Sequence, residues 1–363
     1  MRRPIRSSLA LALVGLLGTA VAGEQVVNVY NWSDYIDPQV LEDFQKETGI
    51  KVVYDVYDGN EILETKLLAG SSGYDVVVPS GYFLRRQIDA GVFARLDRSR
   101  LPNFAALSPQ INQAVTRYDP DNAHSATYMW GTVGIGYNVD AVKKRLPDAP
   151  LDSWQLALDP ARLAALKDCG VHMLDAPAEI IPIVLNYLGE NPSSTDPKVI
   201  AKAEEHLKKL RPYVKKFHSQ EYLNGLANGD VCLAIGYSGD ILQARNRARE
   251  AGRGVDVAYT LPREGTLMWF DLLAIPADAP HKDAALAFIN FMLKPETAAK
   301  NSNFVRYATA NQGALPLLDP TLRNDPAVFP TPEVQAKLFV PDAYPPKTQQ
   351  LVTRTWTKVK SAL

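Results

Sequence analysis

The chain has 363 residues, 46% apolar and 22% charged, two cysteines and a formal net charge of −1. Those proportions fit a globular protein without a long disordered arm, and the weak acidic balance gives no electrostatic case for nucleic acid. The length exceeds what one hydrophobic core usually supports, so two lobes are expected.

The first residues carry Arg2, Arg3 and Arg6, then an apolar run from Leu9 to Leu17, then Ala20-Val21-Ala22 before Gly23. This order reads as a secretory signal peptide over residues 1–22, cleaved after Ala22. The run is too short to cross a bilayer, and no later stretch reaches about 20 uncharged apolar residues. No cysteine near the cleavage point could carry a lipid, so the expected product is soluble and periplasmic. Without the three arginines, 36 basic side chains face 40 acidic ones, a net charge of −4.

The mature part opens with an alternating strand from Val26 to Tyr30, followed by Trp32-Ser33-Asp34-Tyr35. A helix then starts on Asp37 as N-cap and Pro38 at the first position, with Gly49 as its stop. In an open α/β sheet, ligands bind at loops after strand ends, so Trp32, Ser33, Asp34 and Tyr35 are read as lining a cleft. Lys51 to Asp55 reads as a strand, Glu61 to Leu68 as a helix, Tyr74 to Val78 as a buried strand, and Phe83 to Asp89 as a helix before Gly91. This alternation predicts a parallel sheet covered by helices. Two further loops join the same rim: Asp58-Gly59-Asn60-Glu61 and Pro79-Ser80-Gly81-Tyr82.

From Pro102 to Ser125 the text is turn-rich. Asp119-Pro120-Asp121-Asn122 lacks the glycine and distal Glu of a calcium loop and reads as a solvated turn. The glycines from Gly131 to Gly136 do not fit G-x-G-x-x-G, and an extended segment in close contact with other backbone explains them better. That segment is expected to be the first crossover between lobes.

A second α/β unit follows: a helix from Pro160 to Lys167, a strand Val171 to Leu174, helices Ala178 to Leu188 and Pro197 to Leu210, a strand Val231 to Ile235, and a helix Ile241 to Glu250. Cys169 and Cys232 lie at its strand approaches. An exported pair is expected to form a disulfide worth ~4 kcal/mol on the chain-entropy account, with two buried free thiols as the other reading. Glu179, Tyr237 and Asp240 fall at strand ends. Strands Val255 to Leu261 and Met268 to Ile275 return the chain, the second carrying Trp269-Phe270-Asp271. A carboxylate inside such a run needs a partner, whether an arginine, a backbone amide or a bound cation. A helix from Asp283 to Leu293 ending at Pro295, a turn at Arg306-Tyr307-Ala308 and a helix from Gln349 to Lys360 complete the pattern.

Collected, the rim residues are Trp32, Ser33, Asp34, Tyr35, Glu61, Ser80, Glu179, Tyr237, Asp240, Trp269, Asp271 and Tyr307. Aromatics and carboxylates dominate, which suits a ligand with ammonium ends and an apolar middle. Carboxylates replace the water each ammonium loses, and aromatic faces add about 0.5–2 kcal/mol each. Catalysis is less well supported. There is no G-x-S-x-G or H-E-x-x-H, and His124, His172, His206, His218 and His281 lack metal-ligand spacing. No metal or cofactor is expected, and a hydrolase remains only the lesser alternative.

Several long stretches resemble the periplasmic polyamine-binding proteins of ABC transporters, particularly the putrescine-binding branch. They are YNWSD at Tyr30–Asp34, YDVVVPS at Tyr74–Ser80, YMWGTVGIGYNVD at Tyr128–Asp140, LDAP at Leu174–Pro177, NYLG at Asn186–Gly189, LANGD at Leu226–Asp230 and WTKVKS at Trp356–Ser361. The resemblance implies a type II periplasmic-binding fold, with two α/β lobes of mixed sheets joined by a hinge and closing over a polyamine. The expected division is 23–132 with 254–312, and 133–253 with 313–363. Trp32, Trp269, Tyr35, Tyr237 and Tyr307 resemble the aromatic contacts of the family. Asp240 and Asp271 resemble the carboxylates at one amino end, and Ser33, Asp34 and Glu179 the group near the other. Ser80 and Ser219 resemble secondary polar contacts, Glu61 a cross-lobe latch, and Cys169 and Cys232 the disulfide. Tyr237 stands where such members usually have Trp, and Trp269 where many have Phe, so ligand length stays open between putrescine and spermidine. The implied partners are a polyamine and the membrane permease of a transporter, with the chain a monomer. A polyamine-loaded sensor is the alternative role.

Overall fold

A computed structural model describes residues 25–361. The expected signal peptide, residues 1–22, lies outside the described residues.

Ten strands follow one another along the described chain: β1 (Val26–Trp32), β2 (Lys51–Tyr57), β3 (Val76–Val77), β4 (Ser125–Asn138), β5 (Val171–Met173), β6 (Lys216–Phe217), β7 (Leu233–Tyr237), β8 (Val257–Thr260), β9 (Met268–Ala274) and β10 (Ala308–Thr309). Their hydrogen-bonded order is β2-β1-β3-β9-β4-β7-β5-β6, with β8 and β10 also paired to β4. β1 runs parallel to β2 and β3, and β5 parallel to β6 and β7, while β4 is antiparallel to every neighbour. The result is a mixed α/β architecture with two parallel blocks joined through one shared strand.

That shared strand is the main departure from the sequence reading. β4 is a single run of 14 residues, and the turn-rich reading up to Ser125 missed its first half. Ser125 and Ala126 have weak strand preference, and pairing with β9 holds them extended. Ser125–Thr132 pair with β9, whereas Val133–Tyr137 pair with β7, so Gly131–Gly136 does carry the chain from one block to the other. A Cβ on Gly131 would lie 2.5 Å from the Trp269 ring, which explains the glycine by close approach of a side chain. β8 pairs with Ile135–Asn138, so the chain rejoins the first block only with β9.

Local signals elsewhere match their elements. The helix Pro38–Thr48 has Asp37 as N-cap, its carboxylate accepting from the Gln39 N–H at 2.9 Å, and Gly49 as a left-handed C-cap at φ 71°. Val40 and Phe44 bury its apolar face beneath Phe288 and Phe291. Pro295, expected as an end, is instead the first residue of a further helix, Pro295–Val305, since proline fits the first turn as well as the stop. A helix at Glu221–Asn228 had also gone unread. Cys169 and Cys232 form a disulfide between the approaches to β5 and β7. The helix Pro346–Ser361 packs on Pro177–Tyr187 and Pro197–Leu210. Among the described residues, no helix is long and apolar enough to cross a membrane.

Candidate functional site

The carboxyl ends of the strands bring most of the rim residues to one place. A cavity is lined by Trp32, Ser33, Tyr35, Ser80, Glu179, Gln220, Tyr237, Asp240, Trp269, Asp271 and Tyr307. No lysine or arginine lines it. Trp32 comes from the end of β1 and is fixed by its indole N–H donating to the Val78 carbonyl at 2.8 Å. Trp269 and Asp271 project from β9, and Tyr237 ends β7. Glu179 and Asp240 occupy the first turns of the helices Pro177–Tyr187 and Ser238–Ala251, where the helix dipole favours negative charge.

The aromatic residues form a tilted box. Tyr35 meets Tyr307 edge-on at 5.1 Å and Tyr128 at 5.3 Å. Trp269 meets Tyr307 at 5.3 Å and Tyr237 at 5.9 Å, both edge to face. Gly239 lets Tyr307 approach, because a Cβ there would fall 2.4 Å from its ring.

Each carboxylate is held by hydroxyl donors. Ser80 Oγ donates to Asp271 Oδ1 at 2.6 Å, so the protein partner of this buried carboxylate is a hydroxyl and not the arginine or backbone amide weighed from sequence. Tyr222 donates to Asp240 Oδ2 at 2.7 Å and Tyr307 to Asp240 Oδ1 at 2.6 Å. Tyr82 donates to Glu179 Oε1, joining the first block to the second. Glu179 Oε2 and Trp269 Nε1 are buried without a hydrogen-bond partner.

Burial governs the protonation of this cluster. It pushes the Glu179 carboxyl up to about 8, Asp271 up to about 7 and Asp240 up to about 6. The hydroxyl donors favour the charged forms but offset burial only in part. Buried carboxylates short of positive charge are stabilised by any cation that enters, and the aromatic box supplies contact for the methylenes between two such charges.

The structure separates three expected residues from this cavity. Asp34 turns outward at φ 52° and forms an exposed ion pair with Arg247 at 2.9 Å. Glu61 and Ser219 line an adjoining recess together with Asp58, Asn60, Tyr82 and Asp175. Among the described residues, no ion pair across the lobes involves Glu61. Between the blocks, Arg247 pairs with Asp34, and the His218 ring lies 4.0 Å from the Asp58 carboxylate. Sequence reasoning had not assigned a role to Asn60, Tyr82, Gln220 or Tyr222. Asn60 and Tyr82 sat in strand-end loops already marked as rim, whereas Gln220 and Tyr222 open a helix whose start carries no capping signal. Among the described residues, no group of three or more His, Cys, Asp or Glu could hold a metal ion.

A family profile described as bacterial extracellular solute-binding protein matches residues 39–331. The chain is 52% identical to the putrescine-binding periplasmic protein SpuD of Pseudomonas aeruginosa, covering 99% of both chains. It is 51% identical to the putrescine-binding periplasmic protein PotF of Escherichia coli, over 95% of this chain and 94% of the other. Among solved structures, the spermidine/putrescine ABC transporter substrate-binding protein PotD of Streptococcus pneumoniae superposes with a TM-score of 0.75 at 32% identity, covering 93% of this chain and 99% of that one.

Proposed function

The chain belongs to the bacterial extracellular solute-binding proteins, and from that premise we propose that it captures a polyamine, putrescine foremost, between two lobes and presents it to an ABC permease. The observation that carries this reading is the cavity itself: Glu179, Asp240 and Asp271 are buried among Trp32, Tyr35, Tyr237, Trp269 and Tyr307 with no basic side chain in the lining. A diammonium ligand supplies the missing positive charge at both ends and apolar methylenes between them. Putrescine is placed first because the relatives above half identity carry that name alone, while the structure named for spermidine and putrescine together stands at 32%. These relatives are binding proteins, and this chain is taken to act by binding and not by turnover.

The two lobes are placed at 23–132 with 254–312 and at 133–253 with 313–363, except that 254–260 go with the second because β8 pairs with the second half of β4. Residues 1–22 are taken as the exported leader, and the mature chain as a periplasmic monomer. Closure of the lobes brings Tyr82 to Glu179 and Arg247 to Asp34, so the ligand-bound shape is what a permease would sense. Ser33, Ser80 and Gln220 are assigned polar contacts, and Ser219 and Glu61 the approach to the cavity.

Calorimetry on protein unfolded, washed and refolded to remove carried-over ligand tests the assignment, using putrescine, cadaverine, spermidine and spermine in turn. Binding heat with putrescine and a weaker response to spermine are expected. No heat and no thermal shift with all four would overturn the reading.

A further inference from the structure

Asn60 is the first residue of the helix Asn60–Leu68, is 4% exposed, and touches neither Asp271 nor Glu179 by any hydrogen bond. Its amide orientation is nevertheless fixed. Asn60 Oδ1 accepts from the Ser80 backbone N–H at 3.1 Å, and the flipped amide would set two donors against each other there. Nδ2 therefore carries the donors, which reach Ser80 Oγ at 3.1 Å and the Tyr82 hydroxyl oxygen at 3.3 Å. Each hydroxyl has one proton. With its oxygen accepting from Asn60, Ser80 must donate onward to Asp271 Oδ1 and Tyr82 onward to Glu179 Oε1.

We propose that Asn60 is the positioning residue of the site: its amide aims the Ser80 and Tyr82 protons at one oxygen of Asp271 and one of Glu179, leaving the other oxygens for cationic ligand. Glu179 Oε2 is the buried, unpartnered atom this arrangement produces. The same single side chain links a carboxylate in β9 to one in the helix Pro177–Tyr187, so it couples the two ends of the ligand slot. Asp240 lies outside its reach. There the Tyr222 hydroxyl accepts from the Tyr237 N–H at 3.0 Å and the Tyr307 hydroxyl from the Asp240 N–H at 3.2 Å, so backbone donors do the aiming. Asp240 is thus an internal control. The proposal rests on the polyamine reading only for its affinity measurement.

The test uses Asn60→Leu, which keeps the branched shape but removes both donors, together with the acceptor of the Ser80 N–H, in the mature protein. Carbon-13 carboxyl titrations of the ligand-free protein are expected to show Glu179 and Asp271 deprotonating at higher pH than in the wild type, with Asp240 unmoved. Putrescine binding is expected to weaken by about tenfold to a hundredfold, as for hydrogen bonds to charged groups. In a Ser80→Ala/Tyr82→Phe background, the same substitution should cost markedly less, because the protons it aims are gone and only the bond from the residue 80 backbone N–H is still lost. Unchanged titrations of Glu179 and Asp271, an equal shift of Asp240, or full additivity in that background would overturn the role. Should Asn60→Leu fold poorly, Asn60→Ala removes the same donors with less crowding and must give the same shifts. If the wild type binds no polyamine, the functional reading falls, while the titrations still decide the role of Asn60.

Discussion

Tyr307 and Asp240 grip each other twice: the tyrosine hydroxyl donates to Asp240 Oδ1 at 2.6 Å and accepts from the Asp240 backbone N–H at 3.2 Å. The second contact leaves the hydroxyl proton no better direction than the carboxylate. Tyr307→Phe removes both, keeps the ring that packs on Tyr35 and Trp269, and orphans a buried N–H. A loss of about 1–3 kcal/mol in ligand-free stability by urea unfolding is expected, with putrescine affinity about tenfold lower. Wild-type affinity in this variant would show that Asp240 needs no such donor to hold an ammonium.

Asp271→Asn separates binding from folding. The amide keeps the shape of the side chain but removes the charge that faces a desolvated ammonium, so affinity should fall by about 2–5 kcal/mol, as when one partner of a buried charge pair is lost. Ligand-free stability at pH 8 should hold or rise, because a carboxyl pushed up to about 7 by burial is charged there at a cost that the amide does not carry. Calorimetry and thermal unfolding on the same sample check both signs. Parallel losses of affinity and stability would make Asp271 a structural residue.

The pH dependence has opposite signs for folding and binding. Glu179, Asp271 and Asp240 have folded values of about 8, 7 and 6, all above those of unfolded carboxyls near 4. The native state therefore holds more protons through that window. The stabilisation they give is complete below about pH 4 and lost as pH rises through 6 to 8. A diammonium ligand needs the ionised forms, so its affinity should climb over that same range, and binding near pH 6.5 should release protons. Calorimetry in buffers of different ionisation enthalpy measures that release. Affinity independent of pH between 5.5 and 8 would mean that the carboxyls are ionised before ligand arrives.

Asp34 provides the contrasting substitution. Its side chain is 43% exposed and paired with Arg247, itself 39% exposed, outside the cavity. Exposed pairs of this kind contribute about 0–1 kcal/mol, so Asp34→Asn should weaken binding by no more than about fivefold, and less at high salt. A loss as large as that of Asp271→Asn would place Asp34 on the ligand after all.

Much of the arrangement was readable before any coordinates. Trp32, Glu179, Tyr237 and Asp240 were collected because each follows or ends a strand, and in an α/β sheet those positions share a rim; Trp269 and Asp271 were collected from inside a strand and Tyr307 from a turn. The same rule gathered Asp34 and Glu61, which stand outside the main cavity, as does Ser219, which only the family resemblance had suggested. Strand-end position fixes the neighbourhood of a side chain but not its direction: at Asp34 a left-handed backbone and a cation 213 residues away turn it outward. β4 went half unread because its first residues owe their extension to β9, and Pro295 misled because proline serves both to end one helix and to begin another.

Sequence alone determined what depends on near neighbours: the capped helix after Asp37, the alternation of strands and helices, and a rim rich in aromatics and carboxylates. It also brought Asn60 and Tyr82 into view as loop residues without a task. Only the tertiary structure decided which way protons point. From Asn60 two directed arms run out, through Ser80 to Asp271 and through Tyr82 to Glu179, and each hydroxyl's choice between donating and accepting depends on a partner supplied by another element. A hydrogen bond has a sense as well as a location, and that sense is set by the packed fold.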